Sequence, residues 1–387
     1  MINRQVFKLV DFIKSKDGIG NKSALIDEVQ KEFSLTKDRS VFYSENFAIR
    51  FSSSNSLSFS NTVLSLSNLQ KYDQIPFLVC LVTPQKNFIY LANTTFLQKI
   101  SHSSQELRVD NIRGSFNGSD ISKDFNSLPN SPEHFEDLFA IHEELGFRGN
   151  LERLVEATTG ISPSGKKYEL SADAEKVIML APQRAINFIT SENYLELKLD
   201  LDRKVEEYKN EILIAGFIEN INIRGRVIEY LIAGEDDELR KNLVNELHNS
   251  DKRLSPFGTK NTLGDYEKIF DKYYTATDVK TKIMILKSNP KAYNLDKILE
   301  FLAKEKSVFM FYFIGLKPNQ IVSQALVSVF QKDLLDGTIL LKHWAGRNSR
   351  GVAQFHGEII HKLILSPNNN IDIKESQSFL KKLIDLV

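Results

Sequence analysis

Apolar positions along the chain change their spacing several times, and each change marks a different kind of element. Over residues 2–33 they recur at helical intervals. Val6, Leu9, Val10 and Phe12-Ile13 form one stripe, and the segment from Ala24 to Phe33 forms a second. After Ser34 the runs shorten and become β-type at 46–51, 59–66, 76–82 and 87–92, separated by Ser/Asn-rich or Pro-containing turns. This predicts a mostly β N-terminal module, a small barrel or sandwich. Residues 101–132 are polar and predict a long loop. Ser131-Pro132-Glu133 then has the form of a helix start, with serine as N-cap and proline in the first turn, and the helical pattern continues to about residue 158 with breaks at Gly146 and Gly149.

The second half alternates helix and strand. Residues 200–218 and 225–234 read as helices, the latter closed by Gly234. Tyr273–Ile283 reads as a strand, 295–304 as a helix, and Val308–Ile314 and Thr338–Lys342 as strands. Helices are expected over 352–365 and 375–386. The fold class expected is α+β or α/β. A mostly β domain over 1–150 precedes an α/β domain over 165–387 with a central mixed sheet flanked by helices, and the boundary falls near 130–165.

Composition narrows the functional classes. The chain has 387 residues, 42% hydrophobic and 26% charged, enough for two domains with substantial cores. Its single cysteine, Cys80, lies in an apolar run, which excludes an intrachain disulfide framework and a cysteine zinc site and reads as a buried structural thiol. No secretory h-region and no membrane-length apolar run is evident, so a cytoplasmic chain is expected. The formal net charge is zero, so any nucleic-acid contact must come from local basic stripes rather than a general excess of Lys and Arg.

The chemistry concentrates in Tyr273–Ile283. In a strand, Asp278, Lys280 and Lys282 project to one face while Val279, Thr281 and Ile283 project to the other. Asp265, preceded by Gly264, supplies a second carboxylate thirteen residues upstream, a spacing that permits a hairpin. Two carboxylates and an ammonium at one point suit a hard divalent cation and an activated water. About four or five (Asp/Glu)-x-Lys triplets are expected by chance in a chain this long. The competitors are Glu196-Leu-Lys198, Asp202-Arg-Lys204, Glu207-Tyr-Lys209 and Asp372-Ile-Lys374. Of these, only Tyr194–Leu199 around Glu196 is also strand-like. Structural readings stand beside the catalytic one: a solvated sheet face for Asp278 and Lys280, and a plain helix-surface glutamate for Glu229, which interrupts the apolar segment 226–232.

With Asp265, Asp278 and Lys280 in this order, the segment resembles the PD-(D/E)xK nuclease superfamily, whose members include type II restriction endonucleases. The resemblance covers residues 220–320 at most. No proline precedes Asp265, and the second acid is aspartate where glutamate is commoner. It implies a restriction-endonuclease-like catalytic domain with Mg²⁺ held by Asp265 and Asp278. Lys280 would orient the attacking water, and Glu229 would complete the site from a preceding helix. It also implies double-stranded DNA as substrate, products with 5′-phosphate and 3′-hydroxyl ends, and a homodimer that cuts both strands. Alternatives are a repair or junction-resolving nuclease, a non-catalytic DNA-binding regulator, and an ordinary interaction protein.

Residues 341–362 hold four Lys/Arg against one acid. Here Lys342, Arg347, Asn348, Arg350 and Gln354 form a candidate DNA-contact set, with Lys282 beside the acids; arginine, asparagine and glutamine can meet phosphates and base edges. The structural alternative is a solvated loop. Gly160–Lys167 nearly spells a P-loop, but a helical segment precedes it where a strand is required. The seven histidines show no metal-ligand spacing, and His134 and His142 read as structural or exposed. In the N-terminal module, Lys86, Lys99, His102, Arg108 and Arg113 are further candidate contacts.

Overall fold

The computed structural model describes residues 4–55, 59, 61–100, 102–103, 114–162, 166–218, 221–249, 263–343 and 348–387. Arg108, Arg113 and Arg347 lie outside the described residues. The protein is of mixed α and β structure and divides into two compact units, Met1–Gly165 with His343–Asn348, and Lys166–Lys342 with Ser349–Val387.

The first unit is layered. Strands β1 (Thr36–Asp38), β2 (Val41–Tyr43) and β3 (Ala48–Ser53) precede β4 (Thr62–Ser65), β5 (Phe77–Val82) and β6 (Asn87–Leu91). β7 (His102–Ser103) and β8 (Gly114–Asn117) follow, then a short ribbon of β9 (Asp124–Phe125) and β10 (Leu128–Pro129). One sheet has the order β1-β2-β3-β5-β6, with β3 and β5 parallel, and a second has the order β4-β8-β7. The larger sheet is open, so of the expected barrel or sandwich the barrel does not form; one face of the sheet packs on the smaller sheet, and helices contribute a full layer on the other. Period-2 alternation in β5 and β6 explains this. Leu78, Cys80, Ile89 and Leu91 point to a cluster shared with the helices Arg4–Lys14, Lys22–Glu32 and Phe135–Leu145. Phe77 and Val79 point the other way, against Leu64 and Phe116 of the smaller sheet. Leu154 of the helix Phe147–Thr159 joins that second cluster, which carries the first unit past residue 150.

The second unit is built on β11 (Tyr266–Ile269), β12 (Tyr274–Ile283), β13 (Lys291–Asn294), β14 (Ser307–Lys317), β15 (Gln320–Ser328), β16 (Thr338–Lys342) and β17 (Gly351–Phe355). Its main sheet has the order β11-β12-β14-β15; β12 and β14 are parallel and joined through the helix Leu295–Leu302, and the outer pairs are antiparallel. β14 is buried on both faces, which is why it reads as a continuous apolar run. Phe309, Phe311 and Phe313 enter one cluster with Tyr293, Phe355 and the helices Leu295–Leu302 and Gly357–Leu365. Met310, Tyr312 and Ile314 enter another with the helices Glu192–Glu207 and Ile221–Ala233. Among the described residues no helix is long and apolar enough to cross a membrane.

Several elements differ from expectation. The stretch expected as a long loop over 101–132 carries β7, β8, β9 and β10. Tyr194–Leu199 is helical, part of Glu192–Glu207. The alternation there is incidental: Leu197, Leu201 and Val205 recur every fourth residue and are buried, while Leu195 and Leu199 are 57% and 68% exposed. Residues 352–365 are not one helix. Gly351, Ala353 and Phe355 are buried in alternation with Val352 and Gln354, forming β17 beside β16, and the helix begins only at Gly357.

Candidate active site

β11 and β12 bring the two acids together. The hairpin register pairs Tyr266 with Thr277, which places Asp265 at the head of β11 beside Asp278. Two bonds hold it there. The Asp265 amide donates to the Thr277 carbonyl at 2.9 Å, and the Val279 amide donates to Asp265 Oδ2 at 2.8 Å. Gly264 makes this approach possible: a Cβ there would lie 3.0 Å from the Thr277 nitrogen and 3.1 Å from Ala276 Cβ. From the helix side, Tyr266 donates its hydroxyl to Asp200, and Lys268 pairs with Glu196 at 3.0 Å, fixing the edge strand β11 against Glu192–Glu207.

Asp278 and Lys280 project to one face of β12, as alternation requires. In register they lie opposite Phe311 and Phe313 of β14, so their surroundings are apolar. Lys280 Nζ donates to Asp278 Oδ1 at 2.7 Å, with 6% of the Asp278 side chain and 23% of the Lys280 side chain exposed. Burial pushes the Asp278 carboxyl well above its ordinary range. The Lys280 ammonium opposes this, and the Asp265 charge, with a hydrogen bond between the two acids, adds to it. For Lys280 burial works against the charged form, but Asp278, Asp265 and Glu229 outweigh it and raise its pKa, so it stays an ammonium.

Glu229 joins from the helix Ile221–Ala233. Val227, Ile228, Leu231 and Ile232 are buried in the cluster that also receives Val279 of β12. That anchorage leaves Glu229 at the border of the core, half-buried. Burial, and then the Asp265 charge, push its carboxyl up to about 7; Lys280 and Arg226 oppose the shift. The structure therefore collects all four residues expected of the site, from one helix and one hairpin. Arg226, one turn before Glu229, also acts on it and was missed; the i, i+3 spacing of an arginine and the glutamate was its signal.

The rival triplets do not converge. Glu196, Lys198, Asp202 and Lys204 all lie within Glu192–Glu207, and Asp372 is the N-cap of Ile373–Asp385. Two residues apart on a helix, an acid and a lysine face different sides. Lys198 instead pairs with Asp202 at 2.5 Å.

The expected DNA contacts divide. Lys282 is 3% exposed, and its ammonium donates to the Leu286 carbonyl at 2.6 Å, the Ser288 carbonyl at 3.1 Å and Ser288 Oγ at 3.2 Å. It holds the turn after β12 and is withdrawn from the phosphate-contact set. Arg350 is also used internally: Nη1 donates to Asp296 Oδ1 at 2.8 Å and to the Tyr168 carbonyl at 2.5 Å. Lys342 and Asn348 are exposed, Gln354 is half-buried on β17, and Arg347 lies outside the described residues.

Other sequence candidates are structural. His142 is 4% exposed and bonds Thr95 Oγ1 at 2.7 Å and the Asp73 carbonyl at 2.5 Å. Cys80 is fully buried, and burial pushes its thiol pKa up. The helix Phe147–Thr159 precedes the P-loop-like segment, which rules that motif out on context.

Among the described residues, no group of three His, Cys, Asp or Glu side chains forms a ready metal cage. Mg²⁺ does not need one: it is usually held by one or two carboxylates, with waters and substrate phosphates completing its shell. Asp265 and Asp278 are two all-oxygen donors in mutual contact, and a cation could take the place of the proton they share, so the pair fits Mg²⁺ in donor type. No protein-family model matches the chain, and no curated protein matches it significantly in sequence.

Proposed function

We propose that the protein is a Mg²⁺-dependent endonuclease that hydrolyses phosphodiester bonds of double-stranded DNA at specific sites, like type II restriction enzymes, with a restriction-endonuclease-like core in its second unit. The supporting observation is the convergence of Asp265, Asp278, Lys280 and Glu229, with Lys280 2.7 Å from Asp278 and the two aspartates hydrogen-bonded. The hairpin that carries both acids lies in a sheet with helices on both faces, as the resemblance requires.

Asp265 and Asp278 would hold the Mg²⁺, which neutralises phosphate charge and lowers the pKa of a bound water. Lys280 is half-buried, held as an ammonium by the surrounding carboxylates and anchored on Asp278, so it can orient the attacking water and stabilise developing negative charge on the phosphate. Glu229, with a pKa pushed up to about 7, is matched to accepting a proton near neutrality. Lys342, Asn348 and Gln354 remain proposed DNA contacts, and a homodimer would cut both strands.

Incubating phage DNA with the protein and Mg²⁺ tests this reading. Discrete bands ending in 5′-phosphate support site-specific cleavage. A smear, or cutting confined to branched DNA, points to a repair or junction enzyme. Tight binding without scission, indifferent to Mg²⁺, overturns the enzyme reading.

A further inference from the structure

The first unit holds a cavity of about 490 Å³ to which the proposed chemistry assigns nothing. Its floor is Leu81, Gly118 and Ile121, all buried. Its walls are three half-buried rings, Phe59, Phe88 and Tyr90, and its exposed lining residues, which mark the mouth, are Ser119 and Lys123. β6 is the edge strand of the larger sheet, and Phe88 and Tyr90 stand two residues apart on it. Their rings therefore project side by side on one face, about 7 Å apart at the backbone. Phe59 lines the same cavity and lies directly over Gly118, where a Cβ would fall 2.1 Å from its ring.

Three aromatic walls around one opening suit a planar ring that can stack. The polar fittings narrow its chemistry. The Tyr90 hydroxyl makes no hydrogen bond among the described residues, and Lys123 makes no ion pair among them. Lys86 adds a second ammonium, 5.6 Å from the centre of the Phe88 ring. A flat aromatic body, a hydrogen-bonding edge and an anionic substituent are the features of a nucleotide.

We propose that this cavity binds a nucleobase with its phosphate, stacked on Phe88 and Tyr90 and met at the mouth by Lys123. The choice of a nucleobase over other planar anions rests on the nuclease reading. The base can come from a free nucleotide acting as an effector or from an unstacked position in a DNA strand, and the two sources share this chemistry.

The test uses the full chain in EDTA, so no cleavage is needed for the readout. Deoxynucleoside 5′-monophosphates are titrated in one arm, and a short single strand carrying 2-aminopurine, whose fluorescence responds to stacking, in the other. At least one arm should show saturable binding, weakened about tenfold or more by Phe88→Ala or Tyr90→Ala. Lys123→Ala should weaken dAMP but not uncharged deoxyadenosine. Ser119→Trp, which blocks the mouth from an exposed position without emptying the core, should abolish binding even if a wall variant fails to fold. Binding of monophosphates identifies a free-nucleotide site, and binding of the strand alone identifies a reader of unstacked bases. No binding in either arm, or binding unchanged by Ser119→Trp, overturns the proposal. Lys280→Ala should bind as wild type does. A wild type that binds bases and never cuts DNA would remove the nuclease reading and leave the pocket, whereas a cutting enzyme that binds none would do the reverse.

Discussion

Asp278 and Lys280 meet in surroundings where neither would be stable alone. Burial opposes the charge on each, and the 2.7 Å contact between them offsets part of that cost. Glu229 feels the same crowding, which gives a pH signature. Its folded pKa of about 7 lies above the ordinary 4.5, so the folded state keeps a proton that the unfolded state loses. Its contribution therefore favours folding below that window and is lost as pH rises from the unfolded pKa to the folded one. We expect Glu229→Gln to stabilise the protein at pH 8 by about 2 kcal/mol and to flatten the fall in stability between pH 5 and 7. Chemical denaturation at several pH values measures this, and an unchanged slope contradicts the placement of Glu229. Lys282 yields the opposite kind of expectation. Lys282→Met keeps the apolar stem but strips a donor from the Leu286 and Ser288 carbonyls, so it should cost about 1–3 kcal/mol. DNA affinity and its salt dependence should not change, whereas a phosphate contact would reduce the salt slope by about one.

In the β11–β12 hairpin local backbone geometry sets where the two acids stand. Its tight start depends on Gly264, and Gly264→Ala would force the Thr277 backbone or Ala276 to move. We expect a loss of about 1–3 kcal/mol, seen as a lower melting temperature, with cleavage reduced further than stability alone explains because Asp265 shifts with the strand. Much of this hairpin was legible in the sequence. Asp278-x-Lys280 sits in a strand-type run, and Gly264-Asp265 precedes it at hairpin distance. Lys282 misled because alternation fixes which face a side chain leaves from and says nothing of where a long ammonium ends. Arg350 misled for the same reason: Asp296, its partner, is 54 residues away. Tyr194–Leu199 shows the converse limit. Six residues of alternation cannot be told from one flank of a helix until the register of Leu197, Leu201 and Val205 over the full sixteen residues is considered.

Each unit owns its core, so the two should be separable. The second holds two apolar clusters on opposite faces of β12 and β14. We expect the fragment 166–387 to melt cooperatively when expressed alone; a molten, non-cooperative profile would contradict the division. The alternation of helix and strand in this half conveyed its mixed α/β character, but the parallel pairing of β12 with β14 and the separate sheet of β13, β17 and β16 depend on contacts far apart in sequence, which periodicity does not carry. In the first unit the short β runs were visible, yet the helical layer across the larger sheet was not, because a helix stripe does not name the surface it will cover. On the proposed function, Asp265, Asp278 and Lys280 act together on a phosphodiester with Mg²⁺. The most direct measurement is single-turnover cleavage of duplex DNA by wild type and by Lys280→Ala at matched thermal stability, each with Mg²⁺ and with EDTA. On the proposed function, wild type should cut in a Mg²⁺-dependent way, and cutting should slow at least about 10²–10³-fold in Lys280→Ala while DNA binding persists. A wild type that leaves DNA intact in Mg²⁺, or a Lys280→Ala variant that cuts at the wild-type rate, would contradict it.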